Sequence, residues 1–362
     1  MTRIQIIQIG IGGVGRVLVQ QVLAQRALLA ARYGFVLDYL ALLDQSGALY
    51  TGQPLTTDVL QAAVAARQEG HKLVTLTNGH PVADWRVLLP STPCIIVDVT
   101  AADGMEHGLI EALIAGQRVV LANKRPLTGT LVAFHGLTAH GKTRYEATVG
   151  AGLPIISTLQ TLLDSGDTLL QIEASMSGTL AYLCSALEQQ QPLSTAVQTA
   201  RSRGWTEPDP RDDLSGTDVA RKALILARTA GLPWDMSMVP SEPWFPPELA
   251  AISVEDFMQR LSDLDAQFAH KVAQARAQHM ALRYVATITP AGASVALKHL
   301  PADHPLATLR GTDNLFALTT TRYEMQPLIV RGPGAGVDVT AAGVLGDIVA
   351  TAREMHTVPS TT

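Results

Sequence analysis

A short β-branched run, RIQIIQI at residues 3–9, leads directly into Gly10-Ile11-Gly12-Gly13-Val14-Gly15, a G-x-G-x-x-G turn. Residues 14–31 follow with helix formers and no proline, and a second apolar run at 35–43 ends on Asp44. Strand, glycine turn, helix, strand and acid in that order leave few folds open. They read as a βαβ crossover in a Rossmann-type, doubly wound parallel sheet of the α/β class. Each part suits a dinucleotide. Gly10 permits a tight turn, Gly12 lets backbone N–H groups approach a pyrophosphate, and Gly15 lets the helix pack on the strand. The helix that follows, from Val14, faces the phosphates with its N-terminus. A glycine turn in an unrelated α/β domain is the plain alternative, and the flanking order argues against it.

Asp44 falls where a carboxylate can accept from both hydroxyls of an adenosine ribose, and it would repel a 2′-phosphate. No Arg or Lys follows before Arg67. The sequence therefore favours NAD over NADP. The competing reading is that Asp44 caps the turn DQSG.

The α/β rhythm continues. PCIIVDV at 93–99 reads as a buried strand ending at Thr100, and RVVLA at 118–122 as another, ending at Asn123-Lys124. Ligands of open parallel sheets bind at strand ends, which makes Thr100 and Lys124 candidates by position. The polar segment 46–90 reads as an elaboration of this first domain. YEATVGAGLPII at 145–156 breaks the pattern, so the expected domains are 1–150, 151–325 and a C-terminal segment, 326–362, that returns to the first. The middle domain mixes strands (168–176 and 281–298) with helices in α+β fashion. Residues 332–354 form a glycine loop feeding a helix with Val344, Leu345, Ile348 and Val349 on one face.

Composition narrows the partners. Of 362 residues, 16% are charged and the formal net charge is −5, with no block of Lys or Arg, so nucleic acid is not an expected ligand. No apolar run is long enough for a membrane span, and the glycine-broken start lacks a signal-peptide layout. Two cysteines, Cys94 and Cys184, make no disulfide framework, which points to a reducing, cytoplasmic setting. The histidines show no zinc-ligand spacing.

Against this background GWTEPDPRDDLSGTDVARK, residues 204–222, is dense in charge. Ser215-Gly216-Thr217-Asp218 fits a capping box, which starts a helix near Gly216. Asp218 and Lys222 then share a helix face at i, i+4. A helix cap plus a surface ion pair is the plain reading. The acids that precede it, Glu207, Asp209, Asp212 and Asp213, on a loop stiffened by Pro208 and Pro210, suit a small amino-acid substrate better. Carboxylates would bind its ammonium, and the lysine would handle a proton.

GIGGVG at 10–15, ANKRP at 122–126, EATVGAGLPII at 146–156, SGTLAYL at 177–183, the stretch 204–222 and GAGVDVTAAGVLGD at 334–347 together resemble homoserine dehydrogenase, in the family's order and over nearly the whole chain. The family interconverts L-aspartate 4-semialdehyde and L-homoserine with NAD(P)H, in threonine and methionine biosynthesis. The resemblance implies roles. Lys222 matches the catalytic lysine that donates and accepts the proton. Asp218 and Glu207 match substrate-binding carboxylates, with Asp213, Thr179 and the neighbouring Trp205 as further contacts. Lys124 matches a lysine near nicotinamide and substrate. Gly12 through Gly15, Thr100, Gly204 and Gly336 fall at nucleotide-contacting positions. Glu146, Val149, Ala151 and Leu153 match a structural monovalent-cation site, usually Na⁺, built largely from backbone carbonyls.

Trp205 is a departure, since the family often has Tyr or Phe before TEPDP, and a bulkier wall could alter substrate fit. The chain ends soon after its last helix, so the sequence carries an expectation of no threonine-regulatory domain. A homodimer is expected, because apolar strands such as 281–288 need cover. Two other functions stay open at this point: a related dehydrogenase of another small amino acid or aldehyde, and a non-catalytic dinucleotide sensor. The sensor would have no use for Lys124, Asp218 and Lys222 together.

Overall fold

The structure is a computed structural model and describes residues 1–357. It divides into two compact units, Met1–Gly152 with the chain from Gly336 onward, and Leu153–Ala335.

The first unit is built on a seven-stranded sheet: β1 (Thr2–Ile9), β2 (Phe35–Asp44), β3 (Gly47–Tyr50), β4 (Gly79–His80), β5 (Ile95–Asp98), β6 (Arg118–Leu121) and β7 (Thr143–Arg144), in the order β4-β3-β2-β1-β5-β6-β7. β1 lies in the middle, parallel to β2 on one side and to β5 on the other, and β6 and β7 extend the parallel set. The doubly wound parallel sheet expected from sequence is present, with an antiparallel addition at one edge. β3 runs antiparallel to β2, and β4 to β3. Only Gln45 and Ser46 separate β2 from β3, a link that allows a hairpin and no crossover. The segment 46–90 thus adds an antiparallel edge and the helix Thr57–Gln68 to the sheet.

The helix Gly13–Tyr33 covers β1 and β2 and ends at Gly34, in the left-handed conformation that caps helices. Leu18, Val19 and Val22 of this helix share one core with Ile4 and Ile6 of β1 and Phe35, Leu37 and Tyr39 of β2. The helix Val337–Thr357 adds Ala341, Val344, Ile348 and Ala352 to that core, with Leu345 and Val349 packed at its margin. Gln21 fixes its start by donating to the carbonyl and carboxylate of Asp338. The C-terminal segment expected from 326 is corrected: residues 328–333 belong to the second sheet, and the return to the first unit begins at Gly336. The last five residues of that expected segment, 358–362, lie outside the described residues.

The second unit holds a five-stranded antiparallel sheet: β8 (Leu169–Ser175), β9 (Met280–Thr289), β10 (Gly292–Pro301), β11 (Asp313–Thr320) and β12 (Leu328–Pro333), ordered β10-β9-β8-β11-β12. Its helices include Gly178–Glu188, Leu193–Ser202, Thr217–Thr229 and Asp265–Ala277. The run 281–288 lies within β9, an interior strand, so the edges of this sheet are β10 and β12 instead. Arg283 of β9 is buried, yet its guanidinium is fully used: it donates to the carbonyls of Leu306, Ala307 and Leu309 and pairs with Glu188 at 2.7 Å.

Candidate active site

The parallel sheet of the first unit changes winding direction between β1 and β5, and this is where such sheets bind ligands. The glycine turn follows β1 there. Its tightness is enforced, since a Cβ on Gly15 would fall 2.3 Å from the Gly10 carbonyl oxygen. Gln8, fully buried, holds the turn from inside. Its amide donates to the carbonyls of Gly10 (2.9 Å) and Gly15 (3.0 Å), and its oxygen accepts from the Tyr39 hydroxyl. The helix N-cap is Gly12, which offers no side chain to the first-turn N–H groups, and that turn carries no acid. Those N–H groups, and the positive end of the helix dipole, suit a phosphate.

Asp44 ends β2, but its carboxylate is already engaged. One oxygen accepts from the Ser46 N–H (2.7 Å) and hydroxyl (2.5 Å), the other from the Leu73 N–H (3.0 Å), and Arg67 stands 3.4 Å away. Burial alone would raise its pKa. The bonds from Ser46 and Leu73 and the Arg67 charge outweigh it and hold the group below the ordinary range. The turn-capping geometry weighed against a ribose contact is therefore present. Arg67, distant in sequence, is brought to Asp44 by the helix Thr57–Gln68.

At the ends of β5 and β6 a buried carboxylate organises the chain. Asp98 accepts from the Thr100 N–H and hydroxyl (2.9 and 2.7 Å) and from the Asn123 amide (3.0 Å). Asn123 in turn donates to the Ala102 carbonyl and accepts from the Arg125 N–H. Burial pushes Asp98 up, against the bonds from Thr100 and Asn123. Thr100 belongs to this network, and Lys124 follows Asn123 in the chain as the N-cap of the short helix Arg125–Thr128. Sequence reasoning marked Thr100 and Lys124 but missed Asp98, Asn123 and Gln8. Polar residues inside apolar strands, Gln8 and Asp98, were the available signal.

In the second unit, Lys222 lies on the helix Thr217–Thr229, its side chain mostly buried, and its ammonium has two fixed partners. It meets the Asp218 carboxylate at 2.9 Å and donates to the Met176 carbonyl, just beyond β8, at 2.8 Å. The helix begins near Gly216, as expected, although Ser215 is not its N-cap. Gly216, at φ 71°, is the N-cap; a Cβ there would lie 2.0 Å from the Tyr284 hydroxyl, and the Ser215 hydroxyl accepts from the Thr217 N–H. The acidic loop is also partly helical, over Pro210–Leu214. Asp209 caps that turn and pairs with Arg211, which takes it out of the acidic set. Asp213 accepts the Glu207 N–H at 2.8 Å. Burial pushes the Asp213 carboxyl up, and the nearby charges of Glu207 and Asp218 add to it. The Thr179 hydroxyl donates to the Trp205 carbonyl at 2.5 Å, tying the helix Gly178–Glu188 to the segment 204–207. The Trp205 ring is half-exposed, edge-on to Tyr182 and under the Arg203 guanidinium. Gly204 is exposed at φ 67°. One charged cluster thus contains Lys222, Asp218, Glu207 and Asp213 beside Thr179.

Glu146, Val149 and Ala151 lie on a buried segment whose Ala151 adopts φ 56°, and Leu153 follows. The terminal helix braces it: Asp347 accepts the Glu146 N–H at 2.8 Å, and Gly343 packs on the Ala151 carbonyl. Burial raises Asp347 to about 7. Buried carbonyls with a nearby carboxylate are the oxygen-rich donor set that hard cations take. Among the described residues no group of three His, Cys, Asp or Glu side chains could hold a metal. No helix among them is long and apolar enough to cross a membrane.

The family model for homoserine dehydrogenase matches residues 154–349. A chloroplastic bifunctional aspartokinase/homoserine dehydrogenase 2 of Zea mays is 40% identical over 353 residues, covering 94% of this chain and 38% of the relative. The chain therefore spans well under half the length of such bifunctional relatives. The homoserine dehydrogenase of Schizosaccharomyces pombe is 38% identical over 271 residues, 71% of this chain and 72% of its own. Among solved structures, a Candida auris protein of unknown function aligns with a TM-score of 0.85 at 28% identity, over 97% of this chain and 99% of that one. A mutant hyperthermophilic archaeal homoserine dehydrogenase, in complex with NADPH, aligns with a TM-score of 0.74 at 25% identity over both whole chains. With a family model spanning more than half of its 362 residues, this chain belongs to the homoserine dehydrogenase family.

Proposed function

We propose that the protein catalyses the reversible NAD(P)-dependent reduction of L-aspartate 4-semialdehyde to L-homoserine. The observation that carries this reading is the Lys222 ammonium, held between Asp218 and the Met176 carbonyl in a cluster of carboxylates. When bound, the nicotinamide supplies or accepts the hydride at the substrate's terminal carbon. Lys222 donates a proton to the alkoxide oxygen as the aldehyde is reduced, and accepts one from the hydroxyl in the reverse direction. Asp218 orients Lys222 and, with Glu207, receives the substrate ammonium. Asp213 holds the Glu207 backbone in place, and Thr179 and Trp205 line the substrate. Lys124, next to Asn123 in the chain, is the second cation assigned to the reacting groups.

The glycine turn, Gly10, Gly12, Gly13, Val14 and Gly15, is assigned to the pyrophosphate, with Thr100, Gly204 and Gly336 as further nucleotide contacts. NAD is favoured over NADP. Arg67, the nearest cation, is paired with Asp44 at 3.4 Å and so is not free to receive a 2′-phosphate. The carbonyls of Glu146, Val149, Ala151 and Leu153 are assigned to Na⁺, with Asp347 fixing the segment from behind. A cytoplasmic homodimer in threonine and methionine biosynthesis completes the reading.

Replacing Lys222 with alanine tests it. The expected result is a fall in kcat of roughly two to four orders of magnitude, the range for a lost general acid, with the Kd for NAD nearly unchanged. Near-normal turnover would remove Lys222 from the mechanism and leave Lys124 as the remaining proton carrier.

A further inference from the structure

Asn314, the second residue of β11, is 0% exposed, and neither its Oδ1 nor its Nδ2 has a hydrogen-bond partner. A buried carboxamide with both ends unpaired is rare in folded proteins, because each end loses its bonds to water and gains nothing. Its place in the fold gives it a use. β11 pairs with β8 up to Leu315 opposite Ser175. One residue further, Asn314 comes level with Met176, whose carbonyl receives Lys222. Two residues earlier, the Thr312 carbonyl packs on Gly178, which begins the helix carrying Thr179.

On its other side Asn314 pairs with Gly332 of β12. Its side chain lies across Gly334, where a Cβ would sit 1.8 Å from Nδ2. No other residue fits at 334 while Asn314 occupies that space. Among the described residues, the Gly334 and Ala335 backbone groups make no hydrogen bond to another part of the chain. An unpaired amide donor and acceptor therefore lie against an unpaired peptide of the same kind. A carboxamide can meet one end of a trans peptide group after a small rotation, donating to its carbonyl or accepting from its N–H, and a glycine permits that rotation at little cost.

We infer that Asn314 is a positioning residue of the substrate half-site: in the substrate-bound enzyme its carboxamide pairs with the Gly334–Ala335 peptide and holds the glycine segment 332–335 against the turn at Met176. The inference rests on the reading that Lys222 and Asp218 act on the substrate. The unpaired amide destabilises the ligand-free protein, and its bond forms only when the site is occupied. Such a bond favours the bound form selectively.

The test uses Asn314→Leu, which keeps the length of the side chain and removes its polarity, and Asn314→Ala, which needs no extra room. Asn314→Leu should leave the ligand-free Tm unchanged or higher. Both variants should lower kcat/KM for homoserine roughly tenfold, the scale of one neutral hydrogen bond. A lowered ligand-free Tm with unchanged kinetics would mark an ordinary core amide and overturn the inference. If the leucine variant does not fold, the kinetics of Asn314→Ala decide alone. Lys222→Ala, run alongside, separates the two readings. Strong loss there with normal Asn314 variants overturns only the role of Asn314; normal turnover there overturns both.

Discussion

Lys222 and Asp218 show how far single residues can be read. Their i, i+4 spacing placed them on one helix face, and the structure brings them to 2.9 Å. The carbonyl that shares the lysine was not legible, because Met176 reaches it through tertiary packing. Asp209 failed in the other direction: it looked like part of an acidic site and is a helix cap. Two predictions belong at this scale. Asp218→Ala should weaken homoserine binding and slow turnover together, since one carboxylate serves substrate and lysine; a raised KM with unchanged kcat would deny it the orienting role. In the oxidation direction Lys222 must be neutral to take the proton, so the rate should climb with pH, and Lys222→Ala should lose that limb. A pH profile of the same shape in the variant would assign the limb to another group.

Among the elements, the local ones were readable. The strand, glycine turn and helix at residues 2–33 follow from periodicity and from the close approach of Gly15 to Gly10. The order of the second sheet was not, because β8 finds its partners, β9 and β11, far along the chain. Gln8 and Asp98 were missed for the same reason: their work is to hold turns that only the assembled sheet brings near. Gly15→Ala should cost about 1–3 kcal/mol in stability, as overpacking does, and weaken NAD binding. An unchanged Tm would mean that the turn relaxes freely. At the end of β2, kcat/KM should be higher with NAD than with NADP, and Asp44→Ala should narrow the difference. A clear NADP preference would sink the argument built on Asp44 and Arg67.

For the whole molecule, the chain pattern of two units, with the C-terminal helix returning to the first, makes the nucleotide turn and the Lys222 cluster products of different cores. The edges of the second sheet, β10 and β12, with Ile329 of β12 exposed, are the surfaces for which cover is expected. Light scattering at micromolar concentration should give a dimer mass, and a monomer would refute that part of the reading. The central claim is that a dinucleotide site and a proton-handling lysine here serve one reaction, and it is tested most directly by supplying L-homoserine and NAD to the purified protein and following reduced nicotinamide by its absorbance. The account predicts homoserine-dependent reduction of NAD. A protein whose Tm rises with NAD but which forms no reduced nicotinamide with homoserine, with either NAD or NADP, would contradict it and be a binding protein instead.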